Sequence, residues 1–317
     1  MIESMSDRSM SRNVDDIVCV IRTVGERTTE ACGAALQAQL GQQPICIGNP
    51  IFRETVRQCF DIALDSSKPL LLTVDADVLP YPGAVDELLR INSEVPDRYF
   101  QVVASVNDHI FGAARIGGLR LYRVVHLDVA RLMLESSNPL RPESGLVKPM
   151  AATGRPSAYG TSVVGLHDSN QYNVDLYRKG AFFARKHDSQ LPTLLERLRR
   201  GVDEEPDFRA LLLGIRAGIT DVDPSPDAAG FSASRALEDL RSVAIAERAP
   251  LGDHEIADLL AALPNALRVD AWRTYPVPSK LVERAREKRR LGESVPRDIV
   301  ARLLRRVLHK LDDYAHQ

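Results

Sequence analysis

The chain has only four cysteines in 317 residues, Cys19, Cys32, Cys46 and Cys59, with no CxxC pair and no clustered histidines. Wide spacings of that kind argue against a zinc site or a disulfide framework and read as reduced core thiols of a cytoplasmic protein. Long apolar runs are also missing, and none approaches the roughly 18 to 20 residues of a membrane helix. Neither sign of charge dominates. Lys+Arg 41 against Asp+Glu 43 gives a net charge of -2, so the chain-wide field attracts no nucleic acid and an anionic ligand needs a local site. The glycine signatures of two large enzyme classes are absent too. There is no GxxxxGK[ST] and no GxGxxG, which leaves NTPase, kinase and dehydrogenase readings without a phosphate cradle. Residues 1–14 are polar, lack the apolar centre of a signal peptide, and read as a disordered lead.

What is present is an ordinary globular composition, 44% hydrophobic and 26% charged, on a chain long enough for a large core. The first half alternates short apolar runs with helical spacing, the order that a mostly parallel α/β sheet requires. Strands are expected at 16–21, 44–47, 70–74, 100–105, 119–124 and 162–166, with helices at 28–40 and 53–64 between the first three. The second half carries helix patterns at 191–200, 206–219, 235–248, 254–262 and 300–315 and no convincing strand. These patterns divide the chain into the lead at 1–14, a sheet domain at 15–190 and a helical C-terminal region at 191–317. The stretch 220–232 is rich in Asp, Pro, Gly and Ser and reads as a loop. The last helix sets Val300, Leu303, Leu304, Val307, Leu308 and Leu311 against Arg302, Arg305, Arg306 and Lys310. Such a face suits packing on its own domain, a homodimer seam, or peripheral contact with an anionic membrane.

The sharpest local signal is LLLTVDADVLP, a buried-type strand that ends in Asp75-Ala76-Asp77. In an open parallel sheet, ligands bind at the carboxyl ends of strands, and alternation aims two acids one residue apart from a common edge. Two carboxylates there form a hard-oxygen site for Mg²⁺ or Mn²⁺, and a bridging cation relieves their mutual repulsion. The bland alternative is a turn capped by two aspartates ahead of Pro80 and Pro82. Haloacid-dehalogenase-type phosphatases also place a DxD at a strand end, but on their first strand. Here two βα units precede it, and Leu79 stands where those enzymes have Thr or Val.

Around this motif the chain resembles a GT-A-fold glycosyltransferase of the family 2 type over residues 15 to 188. The resemblance begins at CVIRTVGERT, a strand running into a polar turn that brings Arg22, Thr23 and Glu26 toward a nucleotide. The second strand ends in Gly48-Asn49, where many members have an acid that reads the base, and Arg53 and Arg57 follow on a helix. GGLRLYR at 117–123 is similar to the glycine-flanked strand of the acceptor side, although a turn needs the same two glycines. Glu143 in RPES, Gly154, and His167 in VGLHD complete the pattern, with Ser144 replacing the second acid of the usual pair.

The resemblance implies an α/β, GT-A (Rossmann-like), mostly parallel sheet and an enzyme that moves a sugar from a UDP- or GDP-linked donor to a sugar or lipid-linked acceptor. Asp75, Asp77 and His167 are then the Mn²⁺ or Mg²⁺ ligands, with Asp77 also catalytic. Arg22, Thr23, Glu26, Asn49, Arg57 and Asp75 face the nucleotide donor. Glu143 is the expected base of an inverting reaction, with Asp108, Asp128 and Asp168 next in line. Pro142-Glu143 is equally a common way to begin a helix. A scaffold that keeps the fold without turnover is the competing class.

Overall fold

The computed structural model describes residues 13–137, 141–186, 190–220 and 231–264. The expected basic helix at 300–315, the lead before residue 13 and most of the 220–232 loop lie outside the described residues. Two compact units form. One takes the chain through Asp108, Ala114–His167 and the stretch from Gly252, and the other takes His109–Ala113 and Asp168–Leu251.

The first unit is built on a seven-stranded mixed sheet. Its strands are β1 (Ile17–Thr23), β2 (Ile45–Gly48), β3 (Leu70–Asp75), β4 (Val78–Pro80), β5 (Gln101–Asp108), β6 (Ala113–Arg123) and β7 (Ser157–His167), in the order β2-β1-β3-β6-β5-β7-β4. β1 runs parallel to both β2 and β3, and β5 runs parallel to β7, while β3/β6 and β4/β7 are antiparallel. The α/β class and mostly parallel sheet expected from the alternating pattern are therefore present.

Strand alternation sorts the core onto two faces. Ile17, Cys19, Ile21, Leu70, Leu72 and Val74 pack with α1 (Thr29–Leu40) and α3 (Ala84–Glu94). Val20, Leu71 and Tyr122 pack with α2 (Phe52–Asp65), α4 (Leu127–Leu134) and α5 (Pro142–Ala152). Both faces are covered, which is why β1 and β3 read as continuous apolar runs rather than alternating ones. Cys19, Cys32 and Cys59 are buried free thiols, as expected of core residues, whereas Cys46 is exposed on edge strand β2.

β4, α3 and α4 are among the elements that escape the sequence patterns. β4 is only three residues long, too short for any periodicity to register. β5 also runs past its expected end at 105 to Asp108, where Asn107 and Asp108 are polar residues that a hydrophobic pattern does not count.

The described part of the second unit is almost entirely helical, with α6 (Asn173–Lys186), α7 (Leu191–Gly201), α8 (Asp207–Thr220) and α9 (Ala233–Ser242) around Leu176, Leu194, Leu195, Leu211, Leu212 and Ile215. The division between units falls at His167/Asp168, ahead of the boundary near 190, because α6 packs closely on α8. A Cβ on Gly214 would strike the Tyr177 backbone, one on Gly218 the Ala181 backbone, and one on Gly180 the backbone at Leu211. α10 (Asp253–Ala261), expected within the helical region, instead belongs to the first unit, where Arg27 lies 3.6 Å from Glu255. Among the described residues no helix is long and apolar enough to cross a membrane.

The α6/α8 contact gives a direct test. Backbone cannot step aside as a flexible side chain does, so Gly214→Ala should destabilise the protein by about 3 kcal/mol, the upper end for overpacking. Urea unfolding measures it, and an unchanged midpoint would contradict the close crossing.

Candidate functional site

The site is built where β1 and β3 end. Their parallel register sets Arg22 beside Asp75, both on the face covered by α2 and α5. Arg22 is 4% exposed, and a guanidinium at that depth requires counter-charge. Two carboxylates provide it. Asp75 Oδ1 lies 2.8 Å from one terminal nitrogen of Arg22, and Glu143 Oε1 from α5 lies 2.7 Å from the other. The guanidinium also stands over the Phe52 ring at 5.1 Å.

Glu143 is held from three sides. The Tyr122 hydroxyl donates to Oε1 at 2.6 Å, and Arg120 Nε lies 3.2 Å from Oε2. Burial alone would raise its pKa, but Arg120, Arg22 and the tyrosine outweigh it and bring the carboxyl down to about 2. Asp75 goes the other way. Burial, with Asp77 and Glu143 adding to it, outweighs Arg22 and pushes the carboxyl up to about 7. Arg22 is itself held well above its ordinary pKa, its two carboxylates overcoming the desolvation that burial imposes.

Beyond Asp75 the chain turns away from the sheet. The amide of Ala76 donates to the Arg22 carbonyl at 2.9 Å, and the buried Thr28 hydroxyl donates to the Ala76 carbonyl at 2.8 Å. This pins the Asp75-Ala76-Asp77 turn and separates the two acids. Asp75 faces the Arg22 cluster, while Asp77 faces β7. The antiparallel β4/β7 register pairs Val78 with His167, and His167 Nε2 stands 3.5 Å from Asp77 Oδ1. The parallel β5/β7 register pairs His167 with Asp108, whose Oδ2 lies 3.0 Å from His167 Nδ1. Asp108 is fully buried and also accepts from Arg115 at 3.1 Å.

The sheet thus brings Asp77 and His167 together across 90 positions of sequence and leaves Asp75 in an ion pair with Arg22. An imidazole and a carboxylate so placed are a donor set suited to Mn²⁺ or Mg²⁺. Glu143, the base implied by the resemblance, is buried with both oxygens engaged and has low basicity. Thr23 and Glu26 are committed to the β1–α1 turn. The Thr23 hydroxyl donates to Glu26 Oε2 at 2.8 Å, the Val24 amide donates to the same oxygen at 2.8 Å, and the Gly25 amide donates to Thr23 Oγ1 at 2.9 Å. Asn49 Oδ1 accepts the Ile51 amide at 2.9 Å and shapes the entry to α2. Arg57 lies along α2, paired with Glu54 at 2.8 Å and Asp61 at 3.0 Å.

Gly117 and Gly118 form no turn. They sit inside β6 with φ of 148° and 74°. A Cβ on Gly118 would come within 2.5 Å of Val78 and 3.9 Å of Asp75 Oδ2, so the glycine lets β6 pass close beside the acidic turn. Asp168, next after His167, has a left-handed φ of 63° and pairs with Lys179 inside the second unit. Asp128 begins α4, in its first turn. Among residues that sequence reasoning underrated, Asp108 and Arg115 stand out. The available signal was an acid at the end of an apolar run, the same signal that marks Asp75.

No protein-family model and no curated protein matches this chain. Among solved structures, one described as a glycosyltransferase involved in the glycosylation of the major capsid of PBCV-1 overlaps 49% of this chain and 93% of its own, at 12% identity and a TM-score of 0.32. An overlap that low leaves the chemistry to be read from the site's own residues.

The buried cluster makes a prediction with a fixed sign. Glu143 is ionised well below its ordinary 4.5, so its contribution to stability is complete above about pH 4.5 and is lost as pH falls toward 2. Glu143→Gln should therefore be less stable than wild type by about 3 kcal/mol at neutral pH. That deficit should shrink steadily below pH 4.5. Urea midpoints of both proteins across this range provide the measurement, and a pH-independent difference would contradict the ion cluster.

Proposed function

We propose that the sheet unit is a metal-dependent glycosyltransferase acting on a nucleotide diphosphate sugar, UDP- or GDP-linked, with a sugar or lipid-linked acceptor hydroxyl. The observation that supports it is the meeting of Asp77, at the carboxyl end of β3, with His167, at the end of β7, 3.5 Å apart. Carboxyl strand ends are where open α/β sheets bind ligands, and the pair supplies a hard oxygen and a borderline nitrogen suited to Mn²⁺ or Mg²⁺.

In this reading Asp77 and His167 hold the cation, and Asp75 stands behind them, on the donor side. A bound divalent ion supplies charge stabilisation to the departing diphosphate. Arg22 fixes the Asp75 carboxyl, and Glu143 in turn fixes Arg22, so α5 contributes positioning from beneath the sheet. The Gly117-Gly118 stretch of β6 lets backbone, and no side chain, pack against the acidic turn beside Val78. The β1–α1 turn, cross-braced by Thr23 and Glu26, forms the adjoining wall on the nucleotide side.

The test is metal-dependent release of free nucleotide from a panel of UDP- and GDP-sugars. Asp77→Ala should lower that release by roughly 10²-fold or more, since metal stabilisation of a leaving group is worth several kcal/mol. His167→Ala should lower it less, with the carboxylates still in place. Asp77→Ala should unfold at the wild-type midpoint. Equal release by Asp77→Ala and wild type, or release indifferent to metal, would remove the reading.

A further inference from the structure

We propose that Asp108 is the positioning residue of this site, holding His167 in the tautomer and ring orientation that present Nε2 beside Asp77; the inference rests on the metal-dependent reading above.

Two sheet registers create the juxtaposition. β7 is flanked by β5 and β4, so His167 has Asp108 as its neighbour on one side and Val78, the residue after Asp77, on the other. The ring therefore lies between two aspartates. Asp108 Oδ2 is 3.0 Å from Nδ1, and Asp77 Oδ1 is 3.5 Å from Nε2. An ionised carboxylate only accepts hydrogen bonds. At the shorter contact Nδ1 must then carry the hydrogen, which leaves the Nε2 lone pair directed toward the Asp77 side, where a cation would meet both.

The two aspartates differ in a way that separates their roles. Asp108 has no solvent exposure and takes its counter-charge from Arg115 at 3.1 Å, so it is a fixed group within the sheet. Asp77 keeps 13% of its side chain open and His167 keeps 22%, so these two, and not Asp108, are the partly exposed members of the three. Buried acceptors behind ligating histidines fix the ring and typically change metal affinity by about 10 to 100-fold when removed.

The experiment titrates Mn²⁺ alone, without donor, into the full chain by calorimetry. Asp108→Leu removes the acceptor and fills the space with an apolar side chain of similar size. It should weaken Mn²⁺ binding about 10 to 100-fold. In a His167→Ala background the same substitution should cost no further affinity, whereas a merely structural role would lower affinity in both backgrounds. A second measurement needs no variant. ¹⁵N-imidazole spectra of the wild type should show His167 with hydrogen on Nδ1. Undiminished Mn²⁺ binding by Asp108→Leu, further loss in the His167→Ala background, or an Nε2–H tautomer in the wild type would each overturn the assignment of Asp108 alone. Failure of the wild type to bind Mn²⁺ would overturn the metal reading itself, and this inference with it.

Discussion

A guanidinium buried beneath a β-sheet must be neutralised, and Arg22 imposes that requirement on everything around it. Its charge is met by one acid from the neighbouring strand and one from a helix far along the chain, Asp75 and Glu143. These pairs tie β1, β3 and α5 together at the end of the sheet where the acidic turn lies. Leaving any one member without its partners would strand a charge in a low-dielectric interior, at a cost of several kcal/mol. The cluster is closed from the other side by Arg120 and Tyr122 of β6, so two cations and two acids share one small volume. Net neutrality is what permits such a group inside a core otherwise made of Val20, Leu71, Phe60 and Met150.

The same constraint divides the labour between Asp75 and Asp77. A strand's alternation alone would aim both carboxylates from one edge, yet the chain leaves β3 at Asp75 and is turned by the Ala76 backbone, which bonds to the Arg22 carbonyl and the Thr28 hydroxyl. Asp75 is drawn down to the guanidinium. Asp77 is released toward β7 and meets His167. The proposed chemistry depends on this separation, because it leaves Asp77, and not Asp75, beside His167.

The helical unit solves a different packing problem. Gly180, Gly214 and Gly218 let α6 and α8 approach until backbone touches backbone, and the leucines of α7 and α8 fill the space around that line. Within this unit His109 lies 3.5 Å from Asp207, which also pairs with Arg248, while Arg197 donates to the Ile110 carbonyl at 2.7 Å and the His109 carbonyl at 3.0 Å. These contacts hold the short segment His109–Ala113 within the helical unit.

By itself the sequence determined the α/β class, the strands through β3, the helical second half and the acidic turn, because each is a local pattern. Apolar runs of four to eight residues, helical spacing and an acid at a strand end are all legible without neighbours. His167 was legible for the same reason, standing at the end of an apolar strand. Only the tertiary structure decided which acids share a space. Asp75 and Glu143 look alike in sequence as exposed, functional carboxylates, and it is the depth of Arg22 and the placement of α5 that bury the second and pair the first. Asp108 looked like the polar end of a run and became the inner partner of His167 because β5 lies beside β7 in the sheet order. Strand order and register are set by long-range pairing, which one strand's own residues do not encode. The chemistry of each side chain was written in the sequence, and its neighbours were settled by the sheet.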